Sequence, residues 1–189
     1  MTHYTATGLD SRKLAFWAFI GSECLLFGSL ISTYLVYKGR SVRGPTPQEI
    51  LNIPLTSVST FVLLTSSLAM VLALAAVARG DKLWSRVWLF STAFLGSIFL
   101  GFQAYEFTEF VHNGLTITTN LFGSTFYTLT GTHGAHVAVG VIWLLTLLVR
   151  SFQGKLGPDK ALNVEIAGLY WHFVDVVWIV IFTVVYLIQ

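Results

Sequence analysis

Five long apolar segments dominate this sequence. They run from about residues 14 to 37, 55 to 77, 84 to 109, 123 to 149 and 164 to 188, with short polar stretches between them. Each has about 20 residues or more, the length that an α-helix needs to cross the hydrocarbon core of a bilayer. A helix also satisfies its own backbone hydrogen-bonding groups in lipid. The sequence therefore predicts an all-α integral membrane protein, a five-transmembrane-helix bundle in which residues 1–189 form a single membrane domain.

The composition agrees with a membrane chain. Only 11% of the residues are charged, against about 25% in soluble proteins. The first apolar segment is longer than the core of a signal peptide, about 7–15 residues, so we expect it to be a retained span. The formal net charge of +2 gives no reason to expect a nucleic acid partner. The only cysteine, Cys24, can form no disulfide within the chain.

Basic residues predict the orientation, because loops on the inner side of a membrane carry an excess of Lys and Arg. Eight of the eleven Lys and Arg residues lie in the N-terminal stretch and in the second and fourth connections. The first connection holds the remaining three, Lys38, Arg40 and Arg43. We therefore expect the N-terminus inside and the C-terminus outside.

Small residues recur within the apolar segments. They include Gly21, Gly28, Gly96, Gly101, Gly131, Gly134 and Gly140. Because lipid gives membrane helices no hydrophobic drive to associate, small residues that permit close approach mark packing faces. We expect most of these faces to pack within the bundle, and some could instead contact a partner chain.

Glu23 is the only charged residue of the first segment and lies near its middle. Ionisable residues within spans are costly and usually face the bundle interior or a cavity. Because burial disfavours the charged form, this carboxyl group should be protonated or paired. Two roles remain open: a proton site or contact with a partner subunit, and a hydrogen bond between helices.

The stretch TGTHGAHVAVG carries His133 and His136, whose spacing places them on one helix face. A zinc site needs about four ligands aimed at one point. Potential companion ligands are Glu23, Cys24, His172 and Asp175. No second His-x-x-His or Glu-x-x-His pair accompanies the histidines, as a di-iron bundle would require. The alternative to a metal or haem site is that each imidazole bonds a polar group on a neighbouring helix, for which Glu23 is the leading candidate.

The last segment contains YWHFVDVVW, residues 170–178. His172 and Asp175 share a face and could fix a histidine tautomer for proton transfer, or simply hold helices together. Tyr170, Trp171 and Trp178 have amphipathic rings that suit a membrane interface or a lipid cleft, so we expect them to contact lipid. No nucleophile, base and acid set accompanies these residues, so we expect no catalytic site.

Three runs together resemble a known family. They are GSECLLFG (residues 21–28), QAYEF (103–107) followed by YTLTGTHGAHVAVG (127–140), and YWHFVDVVWIVIF (170–182). The chain resembles subunit III of the haem-copper respiratory oxidases, in the shorter five-helix bacterial form, over almost its whole length. The resemblance marks as family positions Glu23, Gln103, Tyr105, Glu106, His133, His136, Glu165, Tyr170, Trp171, His172, Asp175 and Trp178.

The resemblance implies a role that spacing alone does not reveal. A subunit III holds no haem and no copper, which lie in subunits I and II. It packs against subunit I, supports proton uptake, borders a route for oxygen and binds phospholipid. The implied partners are subunits I and II, a small subunit IV, membrane lipids and cytochrome c as donor to the complex. The implied location is the bacterial plasma membrane, as a multi-pass protein.

Other functions remain open at this point. Subunit III of a quinol oxidase and an accessory protein of a nitric oxide reductase would share this fold. A free-standing transporter is less expected, because no inverted repeat is evident. A membrane metalloenzyme that uses the histidines is a further alternative.

Overall fold

Five long α-helices, joined by short connections, make up most of the described chain. The computed structural model describes residues 10–41, 44–45 and 47–188, so Arg43 lies outside the described part. The long helices are α1 (Ser11–Tyr37), α3 (Ile53–Ala78), α4 (Lys82–His112), α5 (Leu121–Phe152) and α6 (Ala161–Phe182). A short helix α2 (Pro47–Ile50) lies in the first connection, a 3₁₀ turn (Pro158–Lys160) precedes α6, and a π turn (Thr183–Leu187) continues it. The five long helices are long and apolar enough to cross a membrane, which confirms the predicted fold class.

Polar residues outside the apolar segments set the helix ends. The side chains of Asn52, Asp81 and Asn120 accept hydrogen bonds from first-turn N–H groups of α3, α4 and α5, at 3.1, 3.1 and 2.7 Å. Such caps satisfy donors that have no partner within the helix. At the other end, Gly80 (φ 76°) and Gly114 (φ 82°) follow α3 and α4 in the left-handed conformation that closes a helix. The helices therefore extend slightly beyond the apolar segments.

Helix α6 is central and α1 is peripheral. Half of the apolar span of α6 is buried, against 11% of that of α1. Helix α6 packs against α3, α5 and α1, while α4 lies between α3 and α5. Helix α1 buries only Ile20, Phe27 and Tyr34, which are spaced seven residues apart. It therefore contacts the rest of the bundle through one narrow stripe.

The two tryptophans of α6 are inside the bundle, so the prediction that Trp171 and Trp178 contact lipid is wrong. Their exposed fractions are 1% and 2%. The Nε1–H group of Trp171 donates to Ser66 Oγ and that of Trp178 to Thr60 Oγ1, both at 2.9 Å. Because α3 supplies an acceptor for each indole N–H, both rings can be buried without an unpaired donor.

Glycines make room for one of these rings. A Cβ atom on Gly96 of α4 would lie 2.5 Å from Cη2 of Trp171, and one on Gly140 of α5 would lie 2.8 Å from Cζ3 of the same ring. A Cβ atom on Gly134 would lie 2.5 Å from Oε1 of Gln103. The predicted packing role is thus confirmed for these three glycines. Four other glycines do not pack against another helix of the described chain, so the alternative of a partner-chain contact stays a prediction for them: Gly21, Gly28, Gly101 and Gly131.

Candidate functional site: polar joints between the helices

Glu23 and His136 join α1 to α5 near the middle of both helices. His136 Nε2 lies 3.1 Å from Glu23 Oε2, and the two side chains are 18% and 14% exposed. The predicted cross-helix contact of Glu23 is therefore confirmed for His136. Phe27 packs edge-on against the imidazole, with ring centroids 5.0 Å apart.

Hydrogen-bond chemistry determines how many protons this pair holds. His136 Nδ1 lies 2.8 Å from the carbonyl oxygen of Thr132, which can only accept, so Nδ1 must carry a hydrogen. If the imidazole is neutral, Nε2 accepts and Glu23 supplies the proton. If the imidazole is charged, Nε2–H donates to a carboxylate. In both states the pair shares one proton and has no net charge, which lowers the cost of placing two ionisable groups in a membrane.

His133 points in a different direction from His136. It is fully buried, and its Nε2–H donates to the Val174 carbonyl oxygen of α6 at 3.2 Å. Its ring packs against Trp178, with centroids 4.9 Å apart. The two histidines therefore bond to different helices and do not converge on one point. Nowhere in the described ranges do three or more His, Cys, Asp or Glu side chains form a group that could hold a metal ion.

The predicted pair of His172 and Asp175 is not formed. His172 Nδ1 lies 2.5 Å from Ser67 Oγ on α3. Neither carboxyl oxygen of Asp175 has a hydrogen-bonding partner among the described residues. The group that orients His172 is thus the Ser67 hydroxyl rather than the carboxyl group of Asp175. Cys24, another potential companion ligand, is exposed on α1.

Glu106 joins three parts of the chain in the half of the bundle that holds the end of α4. Its carboxyl group is buried and accepts a hydrogen bond from Thr56 Oγ1 on α3 at 2.6 Å. It also accepts one from the Tyr186 hydroxyl of the π turn at 3.2 Å. Nearer the middle of α4, Gln103 Nε2 donates to the Thr130 carbonyl oxygen of α5 at 2.7 Å. Two side chains of the QAYEF run, Gln103 and Glu106, thus hold helices together.

The hydroxyl groups of α3 were not predicted as bonding positions. Four of them bond to side chains of α4 or α6: Thr56, Thr60, Ser66 and Ser67. A signal was present, because these hydroxyls recur at helical spacing along a span that has no charge. Hydroxyl side chains commonly link helices in membranes.

The remaining predicted positions differ in burial, and Tyr170 is only 4% exposed. Tyr170 donates its hydroxyl to the His136 carbonyl oxygen at 3.0 Å. With Phe16 and Trp143 its ring lines an apolar cleft of about 450 Å³ between α1 and α5. Tyr105 is 61% exposed on α4. Glu165 forms an ion pair with Lys13, which ties the start of α6 to the start of α1.

Comparison with known proteins now identifies the family. The family model described as cytochrome c oxidase subunit III matches residues 2–189. The chain belongs to this family. It is 47% identical to the cytochrome c oxidase subunit 3 of Bacillus sp. (strain PS3) over 177 residues, covering 94% of this chain and 86% of the relative. It is 40% identical to the quinol oxidase subunit 3 of Bacillus subtilis (strain 168) over 174 residues, covering 92% and 85%.

Family membership confirms the assignment to subunit III of a terminal oxidase. The chain is a subunit III of a terminal oxidase and a multi-pass protein of the bacterial plasma membrane. It associates with other subunits of that oxidase. Its relatives include subunits of cytochrome c oxidases and of quinol oxidases, and both kinds match over most of the chain.

Proposed function

We propose that this chain is a non-catalytic subunit of a cytochrome c oxidase, which binds neither haem nor copper itself. It packs against subunit I and supports oxygen reduction coupled to proton pumping. The observation that carries this proposal is that His133 and His136 bond to separate partners, the Val174 carbonyl and Glu23. Both ring nitrogens of His136 are already engaged, by the Thr132 carbonyl oxygen and by Glu23, so a metal or haem there would have to displace one of these bonds. In the proposed complex, haem and copper are bound by subunits I and II.

The first contribution of this chain is stability. Its polar joints link α1 to α5, α3 to α4, α3 to α6, and α4 to α5. Interhelical hydrogen bonds in membranes are worth about 0.6 kcal/mol on average and up to about 1.7 kcal/mol. Several of them fix the positions of helices that lipid alone would not drive together. A fixed surface is what a rigidly docked subunit requires.

The second contribution is to proton supply. The Glu23–His136 pair can exchange its one proton between two states without a change in net charge. A group of this kind can hold a proton at mid-membrane depth at low electrostatic cost. We assign to the Glu23–His136 pair the role of holding a proton and thereby supporting proton uptake by subunit I.

The third contribution is contact with lipid. The apolar cleft between α1 and α5 is lined by Phe16, Phe19, Val139, Trp143 and Tyr170. Such walls suit an acyl chain of a membrane phospholipid, and the cleft borders the Glu23–His136 pair because His136 also lines it. Trp143→Ala would reduce the lipid retained by the purified complex, whereas Phe94→Ala, at an exposed position of α4, would not.

The electron donor is proposed from the relatives. Two cytochrome c oxidase subunits are 47% and 44% identical to this chain, and quinol oxidase subunits are 41% and 40% identical. Because the quinol oxidase subunits are nearly as similar to this chain, the alternative to a cytochrome c oxidase is a quinol oxidase. The purified complex should oxidise reduced cytochrome c faster than a quinol. A complex that oxidises quinol and is inert towards cytochrome c would reverse this assignment.

Separating the subunits of the same preparation tests the non-catalytic role. We expect haem and copper to remain with the other chains. Haem or copper at one equivalent per copy of this chain would contradict the proposal.

A further inference from the structure

Asp175 is an ionisable group that the proposed function does not use. It lies near the middle of α6 on the side that faces α3, and it is 3% exposed. Both carboxyl oxygens are inaccessible to solvent and have no hydrogen-bonding partner among the described residues. A buried polar group of this kind requires a physical explanation, such as a bound water molecule or a proton.

The polar groups of this contact are bonded to partners other than Asp175. The Ser67 hydroxyl of α3 lies 2.5 Å from His172 Nδ1. Trp171 and Trp178 flank Asp175 on the same face of α6, but their N–H groups already donate to other hydroxyls of α3. Neither ring is therefore a donor to this carboxyl group.

Other ionisable groups at this depth are engaged elsewhere. From α5, His133 donates to a backbone carbonyl of α6, and His136 is paired with Glu23 of α1. None of the ion pairs found among the described residues includes Asp175. Helices α3 and α4 bring no basic side chain into a contact with it there. An isolated carboxylate at this depth would be strongly unfavourable.

The occupant of this site must be very small. Because the carboxyl oxygens are already sealed within the chain, no lipid headgroup and no side chain of a partner subunit can reach them. A proton, alone or with a single water molecule, is the ligand that fits.

We propose that Asp175 is a proton-binding site sealed in the contact between α3 and α6, beside the bonded pair of Ser67 and His172. The carboxyl group holds the proton, so the site carries no charge at this depth. His172, about one turn earlier on α6, is only half-buried.

Infrared difference spectroscopy of the purified oxidase complex tests this proposal. Subtracting the Asp175→Asn spectrum from the wild-type spectrum should give a carbonyl-stretch band of a protonated carboxylic acid that shifts in D₂O. Asp175→Glu should retain such a band at a shifted frequency. Asp159→Asn is the control, because Asp159 lies in the exposed 3₁₀ turn and its replacement should remove carboxylate bands alone.

Two further variants test the polar surroundings of the carboxyl group. Ser67→Ala and His172→Gln should each shift the Asp175 band, because they remove the hydroxyl or the base beside the carboxyl group. An identical band in both variants would overturn the assignment of Ser67 and His172 to the site.

Assembly gives a readout that is independent of the spectra. Asparagine is a neutral isostere of a protonated aspartic acid, so Asp175→Asn should assemble and keep the thermal stability of the wild-type complex. Failure of Asp175→Asn to assemble would show that the carboxylate charge is required and would overturn the proposal. Loss of carboxylate bands alone in the Asp175→Asn difference spectrum would do the same.

Discussion

Replacing Gly96 with alanine tests the packing at the centre of the bundle. The new Cβ atom would lie 2.5 Å from Cη2 and 2.9 Å from Cζ2 of Trp171, and 3.0 Å from Cγ2 of Val141. The indole cannot retreat easily, because its Nε1–H is bonded to Ser66 and its far edge lies against Gly140. Overpacking of this kind typically costs about 1–3 kcal/mol.

A matched control separates the clash from the effect of helix propensity. Alanine is favoured over glycine in a helix by about 1 kcal/mol. Gly101→Ala changes a glycine of the same helix. Apart from its own helical backbone and chain neighbours, no described atom would lie within 4 Å of the added Cβ atom, so this variant gains helix propensity without a clash. The two variants share the same gain in propensity. The free energy of unfolding of Gly96→Ala should therefore be lower than that of Gly101→Ala by about 1–3 kcal/mol.

The assay is heating of the purified complex, followed by the amount of this subunit that stays folded and associated. For a chain of this size, each kcal/mol corresponds to about 2–4 °C in midpoint, so a difference of about 2 kcal/mol corresponds to roughly 4–8 °C. Equal midpoints for the two variants would refute the placement of Trp171 between α4 and α5.

Three further predictions concern the polar joints and the topology. Glu23→Ala should lower the midpoint by several degrees, whereas Glu23→Gln should lower it less, because its amide can still donate to the neutral imidazole; equal effects would show that the hydrogen bond does not matter. Tyr186→Phe should cost about 0.6–1.7 kcal/mol if its hydroxyl bonds Glu106 within the membrane, and Tyr105→Phe, at an exposed position, should cost almost nothing in the same heating assay. A cysteine introduced by Lys155→Cys should react with an impermeant reagent only in inside-out vesicles, and reaction in right-side-out vesicles would reverse the predicted orientation.

The sequence predicted the number and approximate limits of the long helices, because an apolar segment of sufficient length has few alternatives in a bilayer. The limits were short by up to three residues at several ends. Caps such as Asp81 and Asn120 are polar residues that hydropathy counts as loop, although their side chains hold the first turn of a helix. A search for N-cap residues would have corrected these ends.

Which face a residue occupies was harder to predict. Trp171 and Trp178 have the composition of interfacial residues, yet α3 supplies acceptors that allow both to be buried. Glycine spacing likewise predicted packing faces without showing that Gly28 of peripheral α1 contacts nothing beyond its own helix among the described residues. These outcomes depend on the order of helices around α6, which single-helix patterns do not encode.

Gentle purification of the tagged chain from its own membranes is the strongest test that it is subunit III of a terminal oxidase. We predict that subunits I and II co-purify with it, with a small subunit IV as a further partner, and that the preparation shows a haem spectrum and consumes oxygen. Recovery of the chain alone, or with subunits of a nitric oxide reductase, would contradict the claim.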